Sequence, residues 1–435
     1  MNLTSRILIG MALGLVLGIL LNLINQAAWI PPAVSEWLDW ALVDGLLDVI
    51  GTVFLNSLKL LVVPLVFVSL VCGCSALGDN TRMGTMAIKT LLLYLITTAI
   101  AVSLALLIAT LVQPGVGMNM ADQITFVPNE APSIKEVLIN IFPSNPIKAM
   151  AEGNMLQVIV FSLLMGIAIS KSGEPGRKIQ DFFVQFNEVV MEMVIILMHL
   201  APYGVFCMLA KLFANLGYGA IVELFKYFFT VVVVLLLHGV VIYSLILTAF
   251  TRLSPLRLFA NIRPALLFAF STSSSSATLP VTLNVAEHRL GVDNSVASFT
   301  LPLGATINMD GTAIMQGVAT VFIAQAFNID IGLGGYLLVI ATATLASIGA
   351  AGVPGVGLVT LAMVLQQVGL PVEGIALIIG VDRLLDMMRT VINITGDSMV
   401  TTIVANSENL LNRERFNDLS DIDEYDEAVT PSRKQ

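Results

Sequence analysis

The sequence predicts an all-α polytopic membrane protein. Three observations carry that prediction. The 435-residue chain is 57% hydrophobic and only 12% charged, against about 25% charged residues in an ordinary soluble domain. Several apolar runs exceed the roughly 20 residues that cross a bilayer as a helix, and they lack the alternation of β-barrel strands. Near the C-terminus, five polar residues share one stripe of an otherwise apolar segment. Such a stripe persists only where it faces protein, a ligand, ions or water.

The first apolar run, 7–24, follows a single basic residue, Arg6, and no small-residue cleavage site follows it cleanly. It therefore reads as the first membrane helix rather than a signal peptide. Gly10, Gly14 and Gly18 form a small-residue ladder along it, a close-packing face. Further apolar segments cover 42–75, 87–113, 155–170, 183–214 and 221–250. Basic residues gather in alternate links: Arg82 and Lys89; Lys171, Arg177 and Lys178; Arg252, Arg257 and Arg263. By the positive-inside rule these links and the N-terminus are cytoplasmic.

The second half is built differently. The apolar stretch 264–270 runs into a serine string at 271–276. The stretch 336–348 runs into a Gly/Pro string at 349–357. Each predicts a helical hairpin that enters the membrane and turns back. Non-helical backbone at membrane depth is tolerated only where protein or a water-filled cavity surrounds it, and paired interruptions of this kind point to a midplane binding site. Between them, Asn308, Asp310 and Gly311 interrupt another apolar segment. A helix break there frees carbonyl oxygens beside a carboxylate, a donor set for a small hard cation. By itself, Asp310 also fits a buried hydrogen-bonded carboxylate.

The stripe lies in segment 375–404: Asp382, Asp386, Arg389, Asn393 and Asp397. At about 100° per residue they fall within an arc of roughly 80°. Each charge costs about 2.5–3.5 kcal/mol at membrane depth, so the stripe implies passage or binding of something charged. Other function classes find little support. Basic residues are too scattered for nucleic acid. No Gly-rich phosphate loop with a following Lys appears. The serine string has no histidine placed to activate it, since His199 and His238 lie on apolar segments and His288 near a basic link. Cys72, Cys74 and Cys207 read as small core residues, with no second pair for a zinc site. The formal net charge of −9 owes much to the acidic stretch 418–427, and 407–435 reads as a disordered cytoplasmic tail.

Four strings carry a resemblance: 273–280 (SSSSATLP), 303–312 (LGATINMDGT), 347–357 (SIGAAGVPGVG) and 386–397 (DMMRTVINITGD). With them the chain resembles the dicarboxylate/amino acid:cation symporter family of glutamate and aspartate transporters over nearly its whole length. The resemblance implies an elevator fold with inverted repeats, eight transmembrane helices and two re-entrant hairpins. It implies scaffold helices in 1–86 and, after an extracellular link, in 114–219. The transport domain would comprise 87–113, 220–257, a first hairpin at 258–291, a broken helix at 292–330, a second hairpin at 331–368 and the last helix at 369–406. It implies a homotrimer in the plasma (inner) membrane, among lipid, with both termini cytoplasmic, and no enzymatic activity.

The resemblance also implies a substrate site. Arg389 would clamp a side-chain carboxylate, Asp386 the amino group, and Asn393 and Thr390 the α-carboxylate and amino groups. Thr312, Ser274, Ser275, Val353 and Gly357 would complete the pocket. Sodium ions would use Asp397 with carbonyls of Gly304, Asn308 and Asn393; Asp310, Asn308, Thr97, Thr98 and the Tyr94 carbonyl; and carbonyls of Thr306, Ser347, Ile348 and Ala350. Neutral amino-acid members lack the arginine at 389, dicarboxylate-only members the aspartate at 386, and proton-coupled members tend to lack the carboxylate at 397. All three are present, which favours sodium-coupled uptake of aspartate or glutamate; proton-coupled uptake and C4-dicarboxylate uptake are the alternatives, with anion conductance secondary. One departure stands out. Many relatives carry an extra arginine at the position of Ser273 or Met387; this chain has Arg383 instead, within reach of Asp386.

Overall fold

The computed structural model describes residues 3–27, 30–75, 81–118, 142–216, 219–347 and 355–418. Among them every regular element is helical, and one antiparallel bridge joins Val292 to Leu411. Helix α1 (Leu3–Gln26) is followed by α2 (Pro32–Leu38), a π-helical stretch (Asp39–Leu47) and α3 (Asp48–Ser75). Then come α4 (Thr81–Val112), α5 (Pro146–Glu152), α6 (Met155–Lys171), α7 (Gly173–Met198) and α8 (Ala201–Leu216). Helix α9 (Gly219–Leu236) continues through a π-helical turn (Leu237–Ile242) into α10 (Tyr243–Thr251).

The glycine ladder of α1 does what its spacing predicts. A Cβ at Gly10, Gly14 or Gly18 would lie 2.5–2.6 Å from the carbonyl oxygens of Pro202, Phe206 and Ala210. The two backbones of α1 and α8 thus touch along three turns, which only glycine permits. Helix α3 packs on α6, α7 and α8. Among the described residues no cysteine is paired; Cys74 and Cys207 are buried as core residues.

In the second half, α11 (Pro255–Thr272) and α12 (Ser275–His288) form the first hairpin. The chain reverses at Ser273, whose φ of 52° is left-handed, and the Ser274 side chain accepts the Ala277 N–H to cap α12. Helix α13 (Asn294–Ile307) stops at Asn308 and resumes after Met309 as α14 (Asp310–Ala326), the break expected from the sequence. Helices α15 (Gly332–Ser347) and α16 (Val356–Gln367) pack against each other as a second hairpin; their link, 348–354, lies outside the described residues. Helix α17 (Ile375–Ser407) follows, then the short α18 (Arg413–Asn417).

Helix α17 is the hub of this half: it contacts α9, α11, α13 and α14, and α14 in turn packs on α4. The two halves meet where α3 touches α16 and α8 touches α17. A cavity of about 630 Å³ lies there, lined by Asp44, Asp48 and Lys211 on one side and Phe327, Glu373 and Leu377 on the other.

Among the described residues, four helical stretches are long and apolar enough to cross a membrane: Ile9–Gln26, Pro32–Cys72, Thr85–Val112 and Val222–Thr251. The bent pair Gly173–Leu197 and Ala201–Asn215, meeting at 48°, makes a fifth. Length and apolarity therefore account for fewer than the eight crossings expected. The reason is physical: α6 is only 17 residues long, the helix broken at Asn308 is split into two short pieces, and α17 carries five charges.

One expectation is corrected at the C-terminus. Residues 408–418 are not a free tail but a strap. Asp293 N–H donates to the Leu410 carbonyl at 3.0 Å and Asn412 N–H to that of Gly291 at 2.7 Å. Asn261 Nδ2 donates to the Phe416 carbonyl at 3.0 Å, and Phe416 is wholly buried. Lys89 pairs with Glu408 at 2.6 Å, Arg413 donates to the Thr251 carbonyl at 2.8 Å and Arg415 to that of His288. Leu410, Leu411 and Phe416 supply the apolar anchors; the acidic run that suggested a tail starts only at Asp418.

Candidate functional site

The stripe on α17 is buried throughout. Arg389 is fully buried, and Asp382, Asp386, Asn393 and Asp397 are each under a tenth exposed. Isolated buried charge is costly, and here it is compensated locally. Arg389 Nη2 donates to Asp386 Oδ1 at 2.7 Å, and Nη1 lies 3.0 Å from Asp382 Oδ1. Arg383 Nη1 donates to Asp386 Oδ2 at 3.2 Å. The second hairpin closes over this cluster. Gly355 N–H donates to Asp386 Oδ2 at 3.2 Å, and a Cβ on Gly357 would stand 3.0 Å from Arg389 Nη1. A side chain there would crowd the guanidinium and Met315 Cε, the latter at 3.1 Å.

Arg389 remains under-coordinated. Among the described residues its Nε has no hydrogen-bond partner, and Nη1 faces Asp382 without hydrogen-bond alignment. A guanidinium offers five N–H donors in a planar fork that matches a carboxylate. The arrangement suits an incoming carboxylate.

A second cluster forms where α13 breaks. Asp310 is fully buried. Thr98 Oγ1 lies 2.5 Å from its Oδ1, Tyr243 Oη donates to its Oδ2 at 2.7 Å, and His238 Nε2 is 3.2 Å from Oδ2. The Tyr94 carbonyl accepts from Thr97 at 3.0 Å and lies 2.8 Å from Thr98 Oγ1. Asp397 stands beside this group: its Oδ1 accepts from Asn308 Nδ2 at 2.9 Å and presses against Gly304, where a Cβ would approach within 2.5 Å. Asn308 Oδ1 is buried with no hydrogen-bond partner among the described residues. Carboxylate, amide, hydroxyl and carbonyl oxygens are the donors that hard cations take. Among the described residues no group of three or more His, Cys, Asp or Glu is arranged as a metal site.

Several sequence-selected residues serve as joints. Asn393 Oδ1 accepts the Gly311 N–H at 2.8 Å, tying α17 to the restart of α14. Thr390 bonds back to the Asp386 carbonyl. Ser347 Oγ donates to the Ile307 carbonyl at 3.1 Å, linking the second hairpin to the break. Ser275 and Thr312 are buried near the start of their helices, while Thr306 is exposed. Val353, Ile348 and Ala350 lie outside the described residues.

Three residues in these clusters escaped sequence selection for the site. Asp382 was on the stripe but carried no role; it faces Arg389. His238 and Tyr243 reach Asp310 from the turn between α9 and α10, 72 and 67 residues away in the chain. The local sequence holds no signal for that meeting.

A sequence model of the sodium:dicarboxylate symporter family matches residues 3–407. The chain belongs to this family. Among its relatives, the proton/sodium-glutamate symport protein of Bacillus subtilis (strain 168) is 31% identical, covering 94% of this chain and 95% of that protein. The proton/glutamate-aspartate symporter of Escherichia coli (strain K12) is 32% identical, covering 95% and 94%. Excitatory amino acid transporter 1 of Ambystoma tigrinum is 36% identical, covering 81% and 76%. The family consists of membrane symporters, not enzymes. Its membership accounts for the several apolar helices.

Proposed function

We propose that this protein is a secondary active symporter that imports L-aspartate, L-glutamate or both, driven by sodium. One observation carries the reading: a wholly buried arginine, partly unsatisfied, lies between two carboxylates beside the start of α16. Arg389 receives the substrate's side-chain carboxylate, and Asp386 its ammonium group. Asn393, Thr390, Thr312, Ser274, Ser275, Val353 and Gly357 complete the pocket. Sodium, as co-transported cargo, is held by Asp397 with Gly304, Asn308 and Asn393, and by Asp310 with Asn308, Thr97, Thr98 and Tyr94. A third ion uses carbonyls of Thr306, Ser347, Ile348 and Ala350. The unpartnered Asn308 amide oxygen and the carboxylate packed against Gly304 support the fit.

The chain works as a homotrimer in the plasma (inner) membrane with both termini cytoplasmic. The transport domain gathered around α17 slides as a unit against the scaffold of α1, α3, α6, α7 and α8. Gathering of Lys89, Arg252, Arg257, Arg413 and Arg415 around the end of α17 supports one basic, cytoplasmic side.

A second reading, proton coupling, has one observation in its favour: a buried histidine, His238, faces the Asp310 carboxylate at 3.2 Å. The test is radiolabelled L-aspartate uptake into proteoliposomes under an inward sodium gradient and, separately, an inward proton gradient. Sodium-driven uptake competed by L-glutamate is the expected result. Uptake driven only by protons would reassign Asp310 and Asp397. Failure under both gradients would overturn the substrate reading.

A further inference from the structure

The first turn of α16 stands against Arg389, and a buried relay holds it from the far side. Gln316 on α14 is 2% exposed, and its Nε2 donates to Thr360 Oγ1 at 2.7 Å. Thr360 is wholly buried and shares its own hydrogen between the carbonyls of Val356 and Gly357, at 3.3 and 3.2 Å. Those two residues open α16. A Cβ on Gly357 would lie 3.0 Å from Arg389 Nη1 and 3.1 Å from Cε of Met315, the chain neighbour of Gln316. Two hydrogen bonds therefore connect Gln316 to the backbone that stands over the guanidinium. Thr312, a residue of the proposed pocket, lies one turn back on the same face of α14.

An amide is a costly choice at position 316. Its Oε1 is buried with no hydrogen-bond partner among the described residues, and a buried acceptor left unpaired is disfavoured. The helix around it is apolar: Ala313, Ile314, Met315, Val318 and Ala319 are all buried. A methionine would fill the same space with nothing to satisfy. The bond that the amide does make goes to the hydroxyl that ties down the first turn of α16. Such a relay fixes position, because each hydrogen bond weakens steeply once its length or angle departs from a narrow range.

We infer that Gln316, acting through Thr360, is a positioning residue that sets how close the first turn of α16 stands to Arg389, and thereby the length of acidic side chain the site accepts. The inference rests on the reading in which Arg389 takes the side-chain carboxylate of the substrate. With the relay intact, less than a methyl group's room separates Gly357 from the guanidinium. The slot is short and favours L-aspartate. With the relay cut, the first turn of α16 is free to recede. L-glutamate, longer by one methylene, then gains relative to L-aspartate. A change of one methylene in a fitted pocket is worth about tenfold or more in discrimination.

The readout is a ratio, which a merely structural role leaves unmoved. The experiment uses the full-length protein in lipid nanodiscs at saturating sodium. Binding of radiolabelled L-aspartate is measured directly, and binding of L-glutamate by competition. The wild-type protein is expected to bind both, L-aspartate about tenfold more tightly. In Thr360→Val, which keeps the shape and removes the hydroxyl, the ratio falls at least about fivefold toward unity. Gln316→Met does the same. The double variant moves the ratio no further than either single one, because both cut the same relay. Thr360→Ser keeps a hydroxyl and keeps the wild-type ratio. Thr342→Val on α15 is the control: it removes a buried hydroxyl that has no partner among the described residues, and its ratio stays that of the wild type. Equal weakening of both ligands in the relay variants, additive shifts in the double variant, the same shift in the control, or a wild-type protein without preference for L-aspartate overturns the inference. Should Gln316→Met fail to fold, Thr360→Val and Thr360→Ser decide by themselves. Binding of neither ligand by the wild-type protein overturns the acidic-substrate reading, and this inference with it.

Discussion

Substituting Gly304 by alanine tests the proposed ion site without removing a polar group. Gly304 lies on α13, and the atoms a new methyl would meet are Asp397 Oδ1 and Tyr94 Oη, each at 2.5 Å, and Asp397 Cγ at 2.8 Å. Ordinary contact begins near 3.4 Å, so the carboxylate must retreat by about 0.9 Å or α13 must shift. A retreat of that size breaks the 2.9 Å bond from Asn308 unless its side chain follows. Overpacking of this kind costs about 1–3 kcal/mol. If that cost falls on the bound ion, sodium affinity drops roughly five- to a hundredfold, at 1.4 kcal/mol per decade. The assay is the sodium concentration giving half-maximal L-aspartate uptake in proteoliposomes. Gly380→Ala is the control, since the three atoms nearest its methyl all belong to the Leu209 side chain, the first at 2.6 Å. That variant is expected to lose some stability and keep its sodium response. A Gly304→Ala protein with wild-type sodium dependence, or the same shift in the control, would refute the placement of sodium beside Asp397.

Arg389→Ala leaves Asp382 and Asp386 without their shared cation; breaking a buried pair costs about 3–5 kcal/mol, so L-aspartate binding should fall by more than about a hundredfold, and retained aspartate transport would remove the clamp assignment. Tyr243→Phe deletes one of the donors to Asp310 and, since hydrogen bonds to charged groups contribute about 1.5–3 kcal/mol, should raise the half-saturating sodium concentration about tenfold or more; an unmoved value would make Tyr243 a packing residue only. Phe416→Ala removes the buried ring that anchors the strap, a change costing about 3–5 kcal/mol in a closed core, and should speed hydrogen exchange at 408–418; unchanged protection there would show that the backbone bonds to Gly291 and Asp293 suffice.

The polar stripe could be read directly because a helix converts sequence spacing into a face with no help from the rest of the fold. The same holds for the glycine ladder of α1 and for the interruptions at Ser273 and Asn308, which are local backbone events. The pairing within the stripe was half legible. Arg383 and Arg389 each reach Asp386 across three residues of one helix, while the choice of Asp382 as a second partner for Arg389 depends on how the cluster is closed in. The extent of the C-terminal strap was not legible, because Leu410 and Phe416 gain their meaning only from Gly291, Asp293 and Asn261 opposite them.

The sequence by itself determined the membrane class, the family and the residue types of the site, since composition, period and motif are properties of the linear chain. Only the tertiary structure decided which groups surround Asp310. His238 and Tyr243 arrive there from a different helix, brought by the packing of α9 and α10 against α17. No spacing rule links residues some 70 positions apart; their meeting is set by which apolar faces bury one another, and that is a property of the folded chain alone.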